Sequence, residues 1–472
     1  MTATAAVAVA ADAVASAAQA ARGTVAATAT PTAARRLEVM ASGHRLTTLD
    51  SGVRIVTEAM PSVRSAALGF FVGTGSSMED EPAAGWSHLL EHMLFRGTDS
   101  YASLEIDQIF DGMGAELNAG TGKESTSVYS RVLDVHLERA LDVMADMVWR
   151  PLIAPDELEA EGRIVVEEIA MYEDDPTDRV FDILGEAVFP GHPLGRPVIG
   201  TRDSVGAADA EGLRAFHGER YAPGDLVIAA AGSVDHSTLV RLDKAAQGFD
   251  HSGRRAPAPP PPPEDVGGRA ACVRFITKDT EQYHLALGAP GIARDDERRY
   301  AMRVLDTVLG GTSSSRLFQE VRERRGLAYS IFSFHQAFAG TGQVGIYLGT
   351  RPDNVAVGMR VVAEELERLR QDGIAPDELV RAKEHAQGRL VLGLESTSAR
   401  MSRLGGAVLA GLPVLSVDEL IDRIDAVSAE DVVELVRELY APERISAAGI
   451  GPQEDAFRSA LEPIAPALAE VA

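Results

Sequence analysis

The chain of 472 residues contains a single cysteine, Cys272, so it can build neither a disulfide framework nor a cysteine-rich zinc site. A lone thiol is compatible with a reducing compartment. No run of about 18 strongly apolar residues occurs, which excludes a membrane-spanning helix of ordinary length. Basic residues are outnumbered, 45 Lys and Arg against 70 Asp and Glu, for a formal net charge of -25. That balance argues against nucleic acid and anionic lipid as partners and would draw in basic ligands, although solubility alone also accounts for it. Aromatic residues are scarce at 5%, but 45% hydrophobic and 24% charged residues are ordinary for a globular protein. The length accommodates two or more domains.

The first 36 residues are alanine-rich with few charges. They lack a basic leading segment, and Asp12 interrupts the apolar run, which argues against a secretory signal. Arg22, Arg35 and Arg36 leave open an organellar transit peptide and hence a mitochondrial matrix location; otherwise a cytoplasmic protein of bacterial type is expected. Alanine buries too little area to offset the entropy of ordering, so residues 1–36 are expected to form a disordered tail.

A second compositional break is HSGRRAPAPPPPPEDVGGRA, residues 251–270. Its proline run reads as extended polyproline II, a semi-rigid linker. It separates residues 37–250 from 271–472, two segments of roughly 200 residues each, within the normal size of a domain. Both contain the same order of elements. In the first, strands are expected at 53–58, where the residues alternate as in a half-buried strand, and at 66–72, 116–118 and 127–132, before a helix through Leu137, Leu141, Met144 and Val148. In the second, strands are expected at 271–276, 284–288, 329–332 and 343–348, with helices from about Glu297 to Leu309 and Asn354 to Arg370. The expected fold is α+β: two homologous α/β sandwich halves from an internal duplication, each with helices on a largely antiparallel sheet.

The stretch His88-Leu89-Leu90-Glu91-His92 carries the chemistry. Gly85-Trp86-Ser87 offers a serine N-cap, and good helix formers follow. On a helix His88 and His92 are i, i+4 neighbours that can share one metal ion, with Glu91 adjacent as a base for a metal-activated water. This is HxxEH, the inverse of the thermolysin-type motif. It should arise by accident in roughly 2% of such chains, so a salt-bridged helix face is the competing reading and a third ligand is needed. Aligning residues 92–98, HMLFRGT, with 306–312, DTVLGGT, sets Met302, Leu305 and Asp306 opposite His88, Glu91 and His92. Only the first half then has ligands.

A helix is expected over PDELEAEGRIVVEEIAMYEDDP, residues 155–176, started by Pro155 and stopped by Pro176. Glu161 and Glu168 are two turns apart on one face. Glu168 can complete a His2Glu set with a fourth position open, and Glu161 can hydrogen-bond a ligand from behind. A solvated acidic face is the alternative for both.

With these residues the chain resembles the pitrilysin-type zinc metallopeptidases, the inverzincins, which include mitochondrial processing peptidase and insulin-degrading enzyme. In that family a glutamate follows HxxEH by about 76 residues, with another glutamate seven before it. Glu168 lies 76 positions after His92, and Glu161 seven before Glu168. The resemblance implies one Zn2+ per chain on His88, His92 and Glu168, Glu91 as general base, and Glu161 in support. It also implies that Arg322 and Tyr329, seven apart in residues 313–330, clamp the substrate carbonyl. Asn118, in a strand resembling the one on which family members lay the peptide, would bind substrate. The length matches the half-size branch, in which two chains close as a clamshell. A homodimer with composite sites is implied, a heterodimer being the alternative. The implied activity is zinc-dependent endoproteolysis of peptides or unfolded, presequence-like segments, basic ones being favoured by the charge. The alternative is a non-catalytic structural subunit of the same fold.

Overall fold

The computed structural model describes residues 36–39, 43–241, 256, 258–263 and 271–470. The alanine-rich tail up to Arg35 and most of the 251–270 linker lie outside the described residues. Twelve strands form two sheets among these residues. The first contains β1 Arg36–Val39, β2 Arg45–Thr48, β3 Arg54–Ala59, β4 Ser65–Val72, β5 Glu116–Thr121, β6 Thr126–Leu133 and β7 Leu226–Gly232, in the order β1-β2-β3-β7-β4-β6-β5. The second contains β8 Val273–Thr277, β9 Tyr283–Gly291, β10 Ala328–Ala337, β11 Gly342–Thr350 and β12 Ser446–Gly451, in the order β10-β11-β9-β12-β8.

Removing β1 and β2 leaves two sheets of identical topology. In each, the first and last strands in sequence pair in parallel, β3 with β7 and β8 with β12, and every other pairing is antiparallel. The α+β fold with two homologous halves is therefore present. The chain also repeats itself in two places: Ile153-Ala154-Pro155-Asp156-Glu157-Leu158 recurs as residues 374–379, and Tyr221-Ala222-Pro223 as Tyr440-Ala441-Pro442. The first repeat opens the helices Pro155–Asp174 and Pro376–Gly393. The second precedes β7 and β12, two strands that periodicity missed because LVIAAAG and SAAGIG carry few residues with high strand propensity.

These strands are rich in small residues because helices press close on both faces. The helices Trp86–Met93, Ser103–Met113 and Leu137–Trp149 share one core with Ile55, Leu68 and Ile228 of the first sheet. Its other face is covered by a helix from the second half, Thr397–Leu409, whose Met401, Leu404 and Val408 pack on Val56, Ala67, Ala229 and Ala231. Gly69 and Gly405 leave room there for Met401 and Phe71. The second sheet is treated in the same way by the first half. Helix Pro176–Val188 sets Val180, Ile183, Leu184 and Val188 against Ala286, Tyr347, Ala448 and Ile450, and a Cβ on Gly288 would come within 3.0 Å of Val188. Each half thus lends one helix to the other half's sheet. This also explains why β3 departs from the expected alternation: Val56 is as buried as Ile55 because the borrowed helix covers it.

Candidate active site

The helix that carries His88, Glu91 and His92 begins at Trp86, one residue before the expected serine cap. Ser87 lies inside the helix, and the capping acceptor is remote in sequence: the buried Glu79 carboxylate accepts from the backbone N–H of Gly85 (2.8 Å) and of Ser87 (2.6 Å). A negative group at this end also suits the helix dipole. Gly85 adopts a left-handed φ of 88°, and a Cβ there would stand 2.5 Å from the Ile199 carbonyl, so only glycine fits the entry turn. Leu89, Leu90 and Met93 bury the opposite face of the helix. His88, Glu91 and His92 are left on the side facing helix Pro155–Asp174.

That helix brings both predicted glutamates to the histidines. One ligand atom from each of His88, His92 and Glu168 lies within 4.8 Å of the others. Glu168 Oε2 is 3.8 Å from His88 Nε2 and 3.7 Å from His92 Nε2. These distances exceed a hydrogen bond. They approach the spacing of about 3.4 Å expected between ligands held 2.0–2.1 Å from a tetrahedral ion. Glu161, 2% exposed, meets His92 Nδ1 at 3.0 Å and Arg96 at 2.5 Å. The Nδ1 proton of His92 is thereby directed to Glu161, which turns the Nε2 lone pair toward Glu168. Burial, with His92 nearby, brings His88 down to about 4, so its imidazole is neutral near pH 7 and can act as a ligand. Two imidazole lone pairs and a carboxylate oxygen converge with no donor between them. This donor set fits a divalent cation of zinc type.

Glu91 lies beside this set. Burial pushes its pKa up, while a hydroxyl bond from Thr121 at 2.5 Å works in the opposite direction. A cavity of about 740 Å³ opens from His88, Glu91 and Glu168 toward Phe181 of the first half and Phe332 and Phe334 of the second. A smaller one, about 320 Å³, is lined by Glu91, His92, Glu161 and Asn118. Asn118 is exposed on β5, which ends its sheet, and its side-chain oxygen accepts from the Ala119 N–H at 2.8 Å.

Arg322 and Tyr329 form a separate cluster. Arg322 sits in the π-helical turn Phe318–Glu323, with its guanidinium 4.8 Å from the Phe318 ring centre and 4.6 Å from that of Tyr329. It donates to the Tyr329 carbonyl at 2.9 Å, and Tyr329 is 77% exposed. The pair lines a different cavity from His88 and Glu168, and Phe332 borders both. Sequence reasoning overlooked Glu79, Arg96 and Thr121. Arg96 had a signal, since 88, 92 and 96 continue one four-residue spacing. Glu79 and Thr121 had none that is local.

Comparison with known proteins follows the same lines. A family model described as Insulinase (Peptidase family M16) matches residues 54–202, and one described as Peptidase M16 inactive domain matches 207–385. An uncharacterized zinc protease of Streptomyces coelicolor is 45% identical over 422 residues, 88% of this chain and 91% of its own. The chain belongs to the M16 peptidase family. This is the pitrilysin-type family that the motifs resembled. Another M16 relative, an uncharacterized zinc protease of Bacillus subtilis, is 40% identical and covers 83% of this chain and 95% of its own. Its near-complete coverage agrees with the half-size form. The fold is shared with a solved peptidase M16 inactive domain from Pseudomonas fluorescens (TM-score 0.79, 23% identity, 89% of this chain and 98% of that one). It is shared too with a protease from Helicobacter pylori (TM-score 0.80, 21% identity, 87% and 99%). In this M16 chain, the stretch that matches the inactive-domain model, residues 207–385, contains none of His88, His92 and Glu168. Among the described residues, no helix is long and apolar enough to cross a membrane.

Proposed function

We propose that this M16 protein is a zinc-dependent endopeptidase that cleaves peptides or unfolded, presequence-like segments. The observation that carries the reading is the convergence of His88, His92 and Glu168 with Glu91 at their side. One zinc per chain would be held by the first three residues. When bound, zinc supplies a Lewis acid that makes water acidic enough to lose a proton near pH 7 and that polarises the scissile carbonyl. Glu91 takes the proton from the attacking water and returns it to the leaving amine nitrogen. Glu161, held by Arg96, fixes the His92 ring. The free edge of β5 offers main-chain groups to an extended peptide, with Asn118 alongside. The net charge of -25 favours basic peptides.

Arg322 and Tyr329 are assigned to the substrate carbonyl as it gains charge. They do so in the site of a second copy. Tyr329 is exposed, Arg322 is half-buried beside it, neither lines the cavity of its own chain's candidate ligands, and the exchanged helices tie the two halves together. A homodimer with two composite sites satisfies both facts. We place the protein in the bacterial cytoplasm.

Purified protein should contain about one zinc per chain, cleave an internally quenched basic peptide, lose activity to a chelator and regain it with zinc. Glu91→Gln should lower kcat by about 100- to 10,000-fold with zinc retained. Mixing Glu91→Gln with Arg322→Ala should restore activity, because one site of the mixed dimer contains neither change. Cleavage that survives both chelation and Glu91→Gln would overturn the mechanism. Absence of zinc would favour the non-catalytic scaffold, and failure of the mixture to recover would overturn the composite site.

A further inference from the structure

Thr121 is the last residue of β5, the edge strand beside the metal site. Its hydroxyl lies 2.5 Å from Glu91 Oε2, 3.4 Å from the Ser87 carbonyl and 3.4 Å from the Thr126 hydroxyl across the strand pair. Each of these hydroxyls has one proton to donate. The proton of the buried Thr126 goes to the Thr74 carbonyl at 2.9 Å, so Thr126 does not compete for Glu91. Of the three acceptors near Thr121, the carboxylate is the closest and the only charged one, and a charge-assisted bond is the strongest of the three.

We infer that Thr121 is a positioning residue for Glu91: its hydroxyl occupies Oε2, fixes the side-chain rotamer, and leaves Oε1 as the oxygen that takes and returns the proton. This rests on the peptidase reading above. A general base that later acts as acid must present the same oxygen twice, first to water and then to the leaving amine. When Oε1 carries the proton, Oε2 still accepts from Thr121, so the carboxylic acid keeps its orientation between the two transfers. The inference also joins two parts of the site in one strand. Asn118 and Thr121 are three residues apart on β5, so the strand that would receive the peptide also aims the base.

The second half offers a structural alternative. Its Asp306, on helix Arg299–Leu309, accepts from Ser333 of β10 at 2.5 Å although no ligand set is there. A carboxylate-to-edge-strand hydroxyl bond can therefore be a fold latch, and the experiment has to separate a latch from a catalytic positioner.

The test uses the zinc-loaded full chain and a quenched peptide that the wild type cleaves. Thr121→Val, which keeps the shape and removes the hydroxyl, should lower kcat by about 10- to 100-fold, the loss of one hydrogen bond to a charged group. KM should stay within about twofold and zinc content should be unchanged. Thr121→Ser should recover kcat to within about threefold of wild type. In a crystal structure of Thr121→Val, the Glu91 carboxylate should leave its single rotamer. Ser333→Ala is the latch control, expected to lower the thermal midpoint alone. Wild-type kcat in Thr121→Val, or no recovery in Thr121→Ser, overturns the inference while leaving the peptidase intact. A wild type without chelator-sensitive, Glu91-dependent cleavage overturns the peptidase reading, and the inference with it.

Discussion

In the first half, helix Trp86–Met93 turns His88, Glu91 and His92 toward a partner helix bearing Glu161 and Glu168; in the second, the matching helix presents Met302, Leu305 and Asp306. The repeated Ile-Ala-Pro-Asp-Glu-Leu aligns Glu161 with Ala382 and Glu168 with Arg389. Every position of the candidate ligand set has changed, while the strand order, the borrowed covering helix and the buried tyrosine have not. Tyr221 and Tyr440 lie in matching places. Burial pushes both phenols well above their usual range, with the charge of Glu91 adding to the effect on Tyr221 and that of Asp306 on Tyr440. What the duplication preserves is therefore packing, and what it lets vary is the few half-exposed positions facing the gap between two helices. The candidate metal site occupies a small part of this fold, and the second half keeps the packing without it.

The sharpest way to break that comparison is to make the two halves alike at one position. Glu168→Gln removes a ligand and should lower zinc affinity and peptide cleavage by about 100-fold or more. Arg389→Gln makes the matching change in the second half and should leave zinc content as it was. Elemental analysis and chelator competition on both variants decide the matter. Loss of zinc from Arg389→Gln would mean that the halves are not chemically independent.

How much of this contrast was legible beforehand depends on the range over which each feature is encoded. The convergence of His88, His92 and Glu168 was readable because HxxEH and the seven-residue Glu161–Glu168 spacing are properties of single helices. The alignment of Asp306 with His92 was readable because the chain repeats. The exchanged helices were not, since Pro176–Val188 and Thr397–Leu409 have ordinary amphipathic patterns that do not say whose sheet they cover. Glu79 was missed for the same reason. A cap six residues before Gly85, reached through a loop, leaves no periodic trace, whereas Ser87 matched the local rule and proved to be inside the helix. Thr121 lies beyond the strand expected at 116–118, and its bond to Glu91 depends on how the longer strand packs against the helix.

The next way to test the comparison is at the borrowed helices, where the halves are equivalent. A Cβ on Gly405 would run into the Phe71 ring, which is buried against the first sheet, so Gly405→Ala should cost about 1–3 kcal/mol of stability. Gly406 has nothing within 4 Å of its Cβ position, so Gly406→Ala should stabilise by up to about 1 kcal/mol through helix propensity. Gly288→Ala, under the other borrowed helix, meets only the side-chain ends of Val188 and Leu184 at 3.0–3.1 Å and should cost less than Gly405→Ala. Denaturant midpoints would order the three. Equal values for Gly405→Ala and Gly406→Ala would refute the close packing of the helix on the sheet.

The smallest expected effect concerns the ion pair that pins the borrowed helix. Arg400 of that helix pairs with Glu58 of β3, and His44 Nε2 lies 3.2 Å from the same carboxylate. Burial pushes Glu58 up, but His44 and then Arg400 outweigh it, and its pKa ends below the ordinary carboxylate value. A carboxyl depressed in the folded state contributes stability above its unfolded pKa and loses it as pH falls through the folded value. Arg400→Met removes one partner and should cost about 1–2 kcal/mol at pH 7, less than an uncompensated buried charge because the site is partly exposed. The gap between variant and wild type should shrink as pH falls from the ordinary carboxylate range through the depressed value of Glu58 in the folded wild type. Denaturant unfolding at several pH values measures it. A gap that stays constant into acid would assign the effect of Arg400 to the packing of its stem on the sheet instead of its charge.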